Sequence, residues 1–263
     1  MPIPTLVVSD PPHGEVDLEA AAKLLELDGF ATRLKASFGA PEVMHASDRA
    51  EAIQFGAALQ RTGFKVQILN GATLFEPQWP EPISGLVFDA SSLQGTTAAE
   101  TVRVPYDAQV LAVVCQPPNY RHTRVPEELE RAIASGHGPT IAEAMAHLSI
   151  VDIYFRDGAG LRRVTIVPER LKLETDRVLK DMGKRFTHLT LDARLKGVRP
   201  RAPFSIGGGY DGSERRRYSF GTLMLRQVLE SIAPELRAVP QYEFASRLAY
   251  ALSPLSATSE RSG

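Results

Sequence analysis

The stretch SIGGGYDGSERRR, residues 205–217, combines residue types that can bind phosphate groups. Its glycines at 207, 209 and 212 have the Gly-x-Gly-x-x-Gly spacing that lets a backbone approach a dinucleotide pyrophosphate. That fingerprint also requires a buried strand before the glycines and a helix that begins at them. Here RPRAPF precedes the glycines, and its two prolines exclude a central strand. We therefore expect no dinucleotide site and no cofactor.

The charge around these glycines indicates a binding surface instead. Residues 194–217 contain seven basic and two acidic residues, with aromatic residues interleaved. Guanidinium groups form bidentate contacts with carboxylates and phosphates, and aromatic rings stack on bases. We predict that this loop contacts an acidic protein partner; a nucleic acid or phosphate ligand, or a solvated loop without a partner, are the alternatives. The residues assigned to partner binding are Arg199, Arg201, Tyr210, Arg215, Arg216 and Arg217.

The other residues with catalytic potential form no recognisable site. There are six histidines, and no two of them have the spacing that places two imidazoles on one helix face. His137 lies in a Gly-His-Gly-Pro turn and has no second ligand nearby in the sequence. Cys115, the one cysteine, ends the apolar run VLAVVC, and burial in a strand would raise its thiol pKa and lower its reactivity. We therefore assign no catalytic residue and no metal.

Composition places the chain among ordinary globular proteins. Its 263 residues, 43% hydrophobic and 23% charged, predict a core-forming protein of one large domain or two smaller ones. The formal net charge of -1 provides no overall attraction to nucleic acid or anionic lipid. No apolar run is long enough to cross a bilayer, the N-terminus lacks a signal peptide's basic region, and one cysteine fits a reducing compartment. We expect a cytoplasmic protein without membrane insertion.

Hydrophobic periodicity in residues 1–72 predicts the element order β-α-α-β-α-β. TLVV predicts the first strand, and DLEAAAKLL predicts a helix capped by Asp17. SDRAE is a cap signal for a third helix, whose buried stripe we predict to contain Ala50, Ile53 and Ala57. This order predicts a small α/β sandwich.

The stretch LELDGFATRLKASFGAPEVMHASDRAEAIQFGAALQRTGFKVQI resembles the C-terminal domain of the bacterial ribosomal stalk protein of the large subunit. The matching positions are Gly29, Gly39, Ala40, Pro41, Ser47, Glu51 and Gly63. In that family the first two helices carry lysines that dock translation GTPases, and here they retain Lys23, Arg33 and Lys35 among acidic neighbours. The resemblance covers about a quarter of the chain and implies a small binding module.

The remaining chain predicts a larger domain of the α+β class. Residues 73–82 have the composition of a Pro-rich linker, residues 83–252 predict a bent, mainly antiparallel sheet with C-terminal helices, and residues 253–263 predict a disordered tail. ISGLVF, TVRV and VLAVVC predict strands, with residues 89–100 as a polar turn segment. Helices are predicted near residues 126–135, 140–148, 175–182, 220–232 and 242–252.

The stretch SIVDIYFRDGAGLRRVTIV predicts a β-hairpin that turns at Asp-Gly-Ala-Gly. The first strand of this hairpin has two alternating sets of side chains: Ile150, Asp152 and Tyr154 form one, and every second residue from Val151 forms the other. The two sets lie on opposite faces of the strand. Because Asp152 is charged, we expect its face to be exposed to solvent.

These observations together favour a non-catalytic, two-domain cytoplasmic interaction or adaptor protein that works as a scaffold for a protein partner. An RNA- or ribosome-associated factor is the first alternative, since the stalk resemblance and the basic loop both allow it. An enzyme of unrecognised type that uses His137 or the glycine loop is the second.

Overall fold

The computed structural model describes two compact units. The described residues are 3–10, 12, 14–37, 41–78, 80–116, 148–158, 160–196 and 241–257. Those up to Phe75 form the N-terminal unit, and those from Glu76 onward form the C-terminal unit. Within the described ranges, no helix has the length and apolar character needed to cross a membrane. The predicted helices near 126–135 and 220–232 lie outside them, and so does the one near 140–148 except for Leu148.

The N-terminal unit has the predicted β-α-α-β-α-β order. Its elements are β1 (Thr5–Asp10), α1 (Leu18–Leu25), α2 (Gly29–Ser37), β2 (Glu42–Ser47), α3 (Arg49–Arg61) and β3 (Lys65–Asn70), followed by a 3-10 helix (Gly71–Phe75). β1 lies at the centre of the sheet and pairs antiparallel with both β2 and β3. The strands β2 and β3 therefore run in the same direction, and α3 makes the crossover between them.

Local signals set the boundaries of these helices. The Asp17 side chain accepts a hydrogen bond from the Ala20 amide at 3.0 Å and begins α1. Asp48 begins α3 in the same way, accepting from the Glu51 amide at 3.0 Å. Gly63 follows α3 with a φ of +98°, a conformation that glycine adopts without strain.

The predicted buried stripe of α3 is wrong by about one residue position. The helix buries Ala52, Gly56 and Leu59, whereas Ile53 is 49% exposed. Small residues face the sheet because α3 packs very close to it: a Cβ on Gly56 would lie 2.7 Å from Cδ1 of Ile68. The larger Ile53 therefore lies on the flank of the helix.

The C-terminal unit contains eight strands in two sheets among its described residues. The strands are β4 (Glu81–Pro82), β5 (Gly85–Phe88), β6 (Ser92–Thr96), β7 (Thr101–Pro105), β8 (Gln109–Gln116), β9 (Ile150–Asp157), β10 (Gly160–Ile166) and β11 (His188–Lys196). The helices are α4 (Thr175–Arg185), α5 (Gln241–Ala251) and α6 (Pro254–Ala257), with a 3-10 helix at Pro168–Leu171. One sheet has the order β11-β8-β9-β10-β4, and the other is β5-β6-β7.

The main core lies between these two sheets. Leu93 and Val104 from the smaller sheet pack with Ala112 and Ile153 from the larger one, and Met182 of α4 joins them. The opposite face of the larger sheet packs against α5 and α6. The chain thus combines helices with mixed and antiparallel sheets, which confirms the predicted α+β class.

The prediction of a polar turn segment over residues 89–100 is wrong, because β6 lies within it. Leu93 is 1% exposed and packs into the core, so alternate burial along β6 outweighs its polar composition. The predicted hairpin is confirmed as β9 and β10, and the helix predicted at 175–182 extends to Arg185.

Candidate functional site

The residues predicted to bind a partner lie outside the described part of the chain. They are Arg199, Arg201, Tyr210, Arg215, Arg216 and Arg217, and His137 lies outside it as well. The basic loop and the turn histidine therefore stay predictions.

Cys115 lies in β8 with 2% of its surface exposed. Burial, followed by the negative charge of Asp152, raises the pKa of its thiol to about 12. The expected direction of this pKa shift is confirmed. At neutral pH the thiol is protonated and therefore a poor nucleophile.

A buried charge cluster lies between the larger sheet and α5. Its members are Asp152, Arg163, Thr165, Glu243, Ser246 and Arg247. The hairpin register places Thr165 opposite Asp152, and Arg163 opposite Tyr154, so these four side chains share one face of the sheet. The helix α5 lies over that face and supplies the other three members of the charge cluster.

Arg163 is the centre of the charge cluster, and its side chain is fully buried. Its Nη1 and Nη2 donate to the two carboxylate oxygens of Glu243 at 2.5 and 2.7 Å, which is a bidentate contact. Its Nη2 also donates to Oδ2 of Asp152 at 2.5 Å. The guanidinium lies 5.0 Å from the ring centroid of Tyr154, within the range of a cation–π contact.

The two carboxylates accept further hydrogen bonds. Asp152 accepts from the hydroxyls of Thr165 and Ser246, and Glu243 accepts from Nε of Arg247 at 2.7 Å. Burial alone would raise the pKa of Glu243, but Arg163 and Arg247 lower it, and the net shift is downward. Glu243 is therefore ionised at neutral pH.

This arrangement joins α5 to the hairpin and is closed to substrates. The side chains of Asp152 and Glu243 are 1% and 2% exposed, so no molecule in solution can exchange a proton with them directly. The expectation that Asp152 faces solvent is therefore wrong. The face is buried because α5 brings compensating charge and hydroxyl groups to it, which sequence alternation cannot reveal.

The surface of the N-terminal unit offers a different kind of site, which we call the isoleucine edge: Ile3, Ile53 and Ile68. They are 45%, 49% and 40% exposed, although isoleucine belongs to the residue types most often buried. Ile68 lies on β3, the edge strand of its sheet among the described residues.

Contacts with glycines locate two of the three isoleucines. A Cβ on Gly71, just after β3, would lie 3.0 Å from Cγ2 of Ile3, and Gly56 approaches Ile68 as described above. Ile53 is one helical turn before Gly56, on the flank of α3 where Gln60 donates to the Val66 carbonyl of β3. Ile53 and Ile68 therefore lie on the β3 flank of α3, and Ile3 lies beside the end of β3.

One basic side chain lies beside the isoleucine edge. Arg49 is exposed and precedes Ile53 by four residues, so it lies on the same flank of α3. Lys65 begins β3, but it is three residues before Ile68, so strand alternation places its side chain on the opposite face of the sheet, 3.8 Å from the Asp10 carboxylate. The surface thus has an apolar centre with Arg49 at its border.

No family model, curated protein or solved structure matches this chain. Among the residues that the structure describes, no three His, Cys, Asp or Glu side chains come together as a metal site would require. The function must therefore be inferred from the described surfaces.

The sequence analysis missed the isoleucine edge because it assigned Ile53 to the buried stripe of α3. The signal that could have corrected this is Gly56, since a glycine inside a helix often marks close packing against a neighbouring element. Centring the buried stripe on Gly56 would have placed Ile53 on the flank.

Proposed function

We propose that this chain is a non-catalytic interaction protein that binds a protein partner through the isoleucine edge. The single observation that supports this proposal is the exposure of Ile53 and Ile68 on one flank of α3 and β3, with Ile3 exposed beside the end of β3. Isolated exposed apolar residues are common, but adjacent ones surrounded by polar residues are typical of protein interfaces.

The partner that suits this surface has an apolar centre and an acidic border. Burying the three isoleucines removes apolar area from water, which favours association. Arg49 then faces a carboxylate of the partner, which orients the partner and increases its association rate more than it increases affinity. The predicted contact of the 194–217 loop with an acidic partner is part of the same proposal.

The stalk-like module is a further part of this proposal. The N-terminal unit has the element order that hydrophobic periodicity predicted, and a stalk-like module would act by presenting a surface. The isoleucine edge involves α3 and β3, whereas the basic residues of the resemblance lie in α1 and α2.

A photo-crosslinking experiment tests the proposal in the native organism. Benzoylphenylalanine replaces Ile53 in one version of the full chain and Val87, which is 60% exposed on β5, in the matched control. We expect irradiation to attach a specific protein to position 53 and not to position 87. In a parallel pull-down, the Ile68→Asp variant should no longer retain this protein, whereas the Val87→Asp variant should retain it.

The same experiment separates an RNA partner from a protein partner. An apolar interface should keep its partner when salt rises from about 0.15 M to about 0.5 M, since only its charged border is screened. Phosphate contacts would weaken steeply, by nearly one power of the salt concentration per contact. Equal crosslinking at positions 53 and 87, or full retention of the partner by Ile68→Asp, would refute the proposal.

A further inference from the structure

Besides Oε2 of Glu81, three buried side-chain oxygens in the C-terminal unit have no hydrogen-bond partner among the described residues. They are Oε1 of Gln116, Oγ of Ser149 and Oε2 of Glu169. Ser149 is completely buried, and Glu169 is 6% exposed. A buried polar atom without a partner costs about 1–3 kcal/mol, so three of them in one unit call for a physical reason.

The three oxygens lie at the same end of the larger sheet. The register of β8 and β9 ends with the pair Cys115 and Ile150. We extend it by one residue, which places Gln116 opposite Ser149, just before β9. Both alternate with valines of the main core, Val114 and Val151, so Gln116 and Ser149 share the core-side face. Directly opposite residues have Cβ atoms about 5 Å apart, which brings their polar atoms within reach of one ligand.

Glu169 reaches the same place from the segment after β10. Its Oε1 accepts hydrogen bonds from the Ser149 amide at 3.2 Å and from the Thr175 hydroxyl at 3.5 Å. Its second oxygen, Oε2, is buried beside them and accepts no hydrogen bond. Gln116, Ser149, Glu169 and Thr175 therefore form one group, which we call the oxygen cluster.

The chemistry of the oxygen cluster selects an electropositive ligand. An amide oxygen, a hydroxyl and a carboxylate are hard ligands that suit alkali and alkaline-earth cations better than soft metals. The oxygen cluster carries one formal negative charge, that of Glu169. It also lies beside the N-terminus of α4 at Thr175, where the positive end of the helix dipole disfavours additional positive charge. A divalent ion would leave uncompensated positive charge in a buried place, which is costly.

We propose that the oxygen cluster binds a monovalent metal cation, sodium or potassium, through Gln116, Ser149 and the Glu169 carboxylate. One positive charge balances the one carboxylate, and the cation supplies a partner for all three oxygens at once. The ion joins the ends of β8 and β9 to the segment after β10, so its role is to stabilise this end of the sheet.

Thermal unfolding of the full chain in different chlorides tests this proposal. Wild type is melted in sodium, potassium and tetramethylammonium chloride at equal concentration, the last cation being too large for the oxygen cluster. At about tenfold excess over its dissociation constant, the preferred ion should raise the unfolding midpoint of the C-terminal unit by about 3 °C. Glu169→Gln should abolish this difference, and Glu174→Gln, an exposed matched control, should retain it.

A second variant keeps the test decisive if Glu169→Gln does not fold. Among the residues that the structure describes, the Ser149 hydroxyl has no hydrogen-bond partner, so Ser149→Ala should not lower the midpoint in tetramethylammonium chloride, yet it should reduce the gain from sodium or potassium. Crystals soaked in rubidium should show an anomalous peak within about 3 Å of Glu169 Oε2. Equal midpoints in all three chlorides, or stabilisation by magnesium or calcium alone, would overturn the proposal.

Discussion

Replacing Arg163 by methionine is the most informative perturbation of the C-terminal unit. The variant keeps the volume of the side chain but removes the cation that lies between Asp152 and Glu243. Glu243 retains Arg247, whereas Asp152 retains only the hydroxyls of Thr165 and Ser246. Removing one partner of a buried ion pair costs about 3–5 kcal/mol, and we expect about 4 kcal/mol here.

Such a loss is large against the 5–15 kcal/mol that typically stabilises a domain, so it should be easy to measure. Denaturant unfolding followed by circular dichroism gives the free-energy change, and hydrogen exchange of peptides from α5 shows whether this helix is released. Arg162→Met is the matched control. Arg162 is partly exposed and contacts Glu81, Glu100 and Asp157, so its loss should cost about 1 kcal/mol or less.

A double variant separates lost charge compensation from lost packing. If Asp152 is destabilised in Arg163→Met because its charge has no partner, then Asp152→Asn in that background should restore at least about 1 kcal/mol. If the second substitution instead costs further stability, packing rather than charge explains the effect. An Arg163→Met protein within about 1 kcal/mol of wild type, with unchanged exchange in α5, would refute the reasoning altogether.

Three further predictions follow from single side chains. The pKa of Glu243 is lowered in the folded protein, so its ionisation stabilises the fold above about pH 4. This contribution to the free energy of unfolding is lost as the pH falls through the lowered pKa. Glu243→Gln should therefore flatten the acid side of a plot of stability against pH. Cys115, with its thiol pKa raised to about 12, should react with Ellman's reagent at pH 8 only after unfolding; rapid reaction of the native protein would contradict its burial. Gly63→Ala should destabilise the N-terminal unit by about 1–3 kcal/mol in thermal or denaturant unfolding, because φ is +98° and a Cβ would clash with the Glu15 carbonyl.

The N-terminal unit was largely predictable because its signals are local. Asp17 and Asp48 cap helices through contacts three residues away, and Gly63 ends a helix through its own backbone conformation. Such interactions depend only on neighbouring residues, so they can be recognised in a sequence without knowledge of the tertiary structure.

The functional surfaces were not predictable because they depend on distant parts of the chain. The alternation of the hairpin correctly placed Asp152 and Tyr154 on one face, but it did not reveal that both faces are buried. The partners that allow burial, Glu243 and Ser246, come from a helix about ninety residues later. Ile53 was assigned to the wrong side of α3 because the periodicity of small and apolar residues admits two adjacent helix rotations.

The charge cluster explains why α5 can occupy only one position on the sheet. Apolar contacts such as those of Phe244 and Leu248 tolerate small rotations of a helix, because dispersion and burial depend weakly on direction. The bidentate contact of Arg163 with Glu243 does not, since a shift of one residue turns Glu243 by about 100° and breaks this contact, which leaves Arg163 with Asp152 alone and Glu243 with Arg247 alone among the described residues. An apolar replacement of the charge cluster could match its stability, so we infer that its contribution is the register of α5 rather than the strength of its attachment.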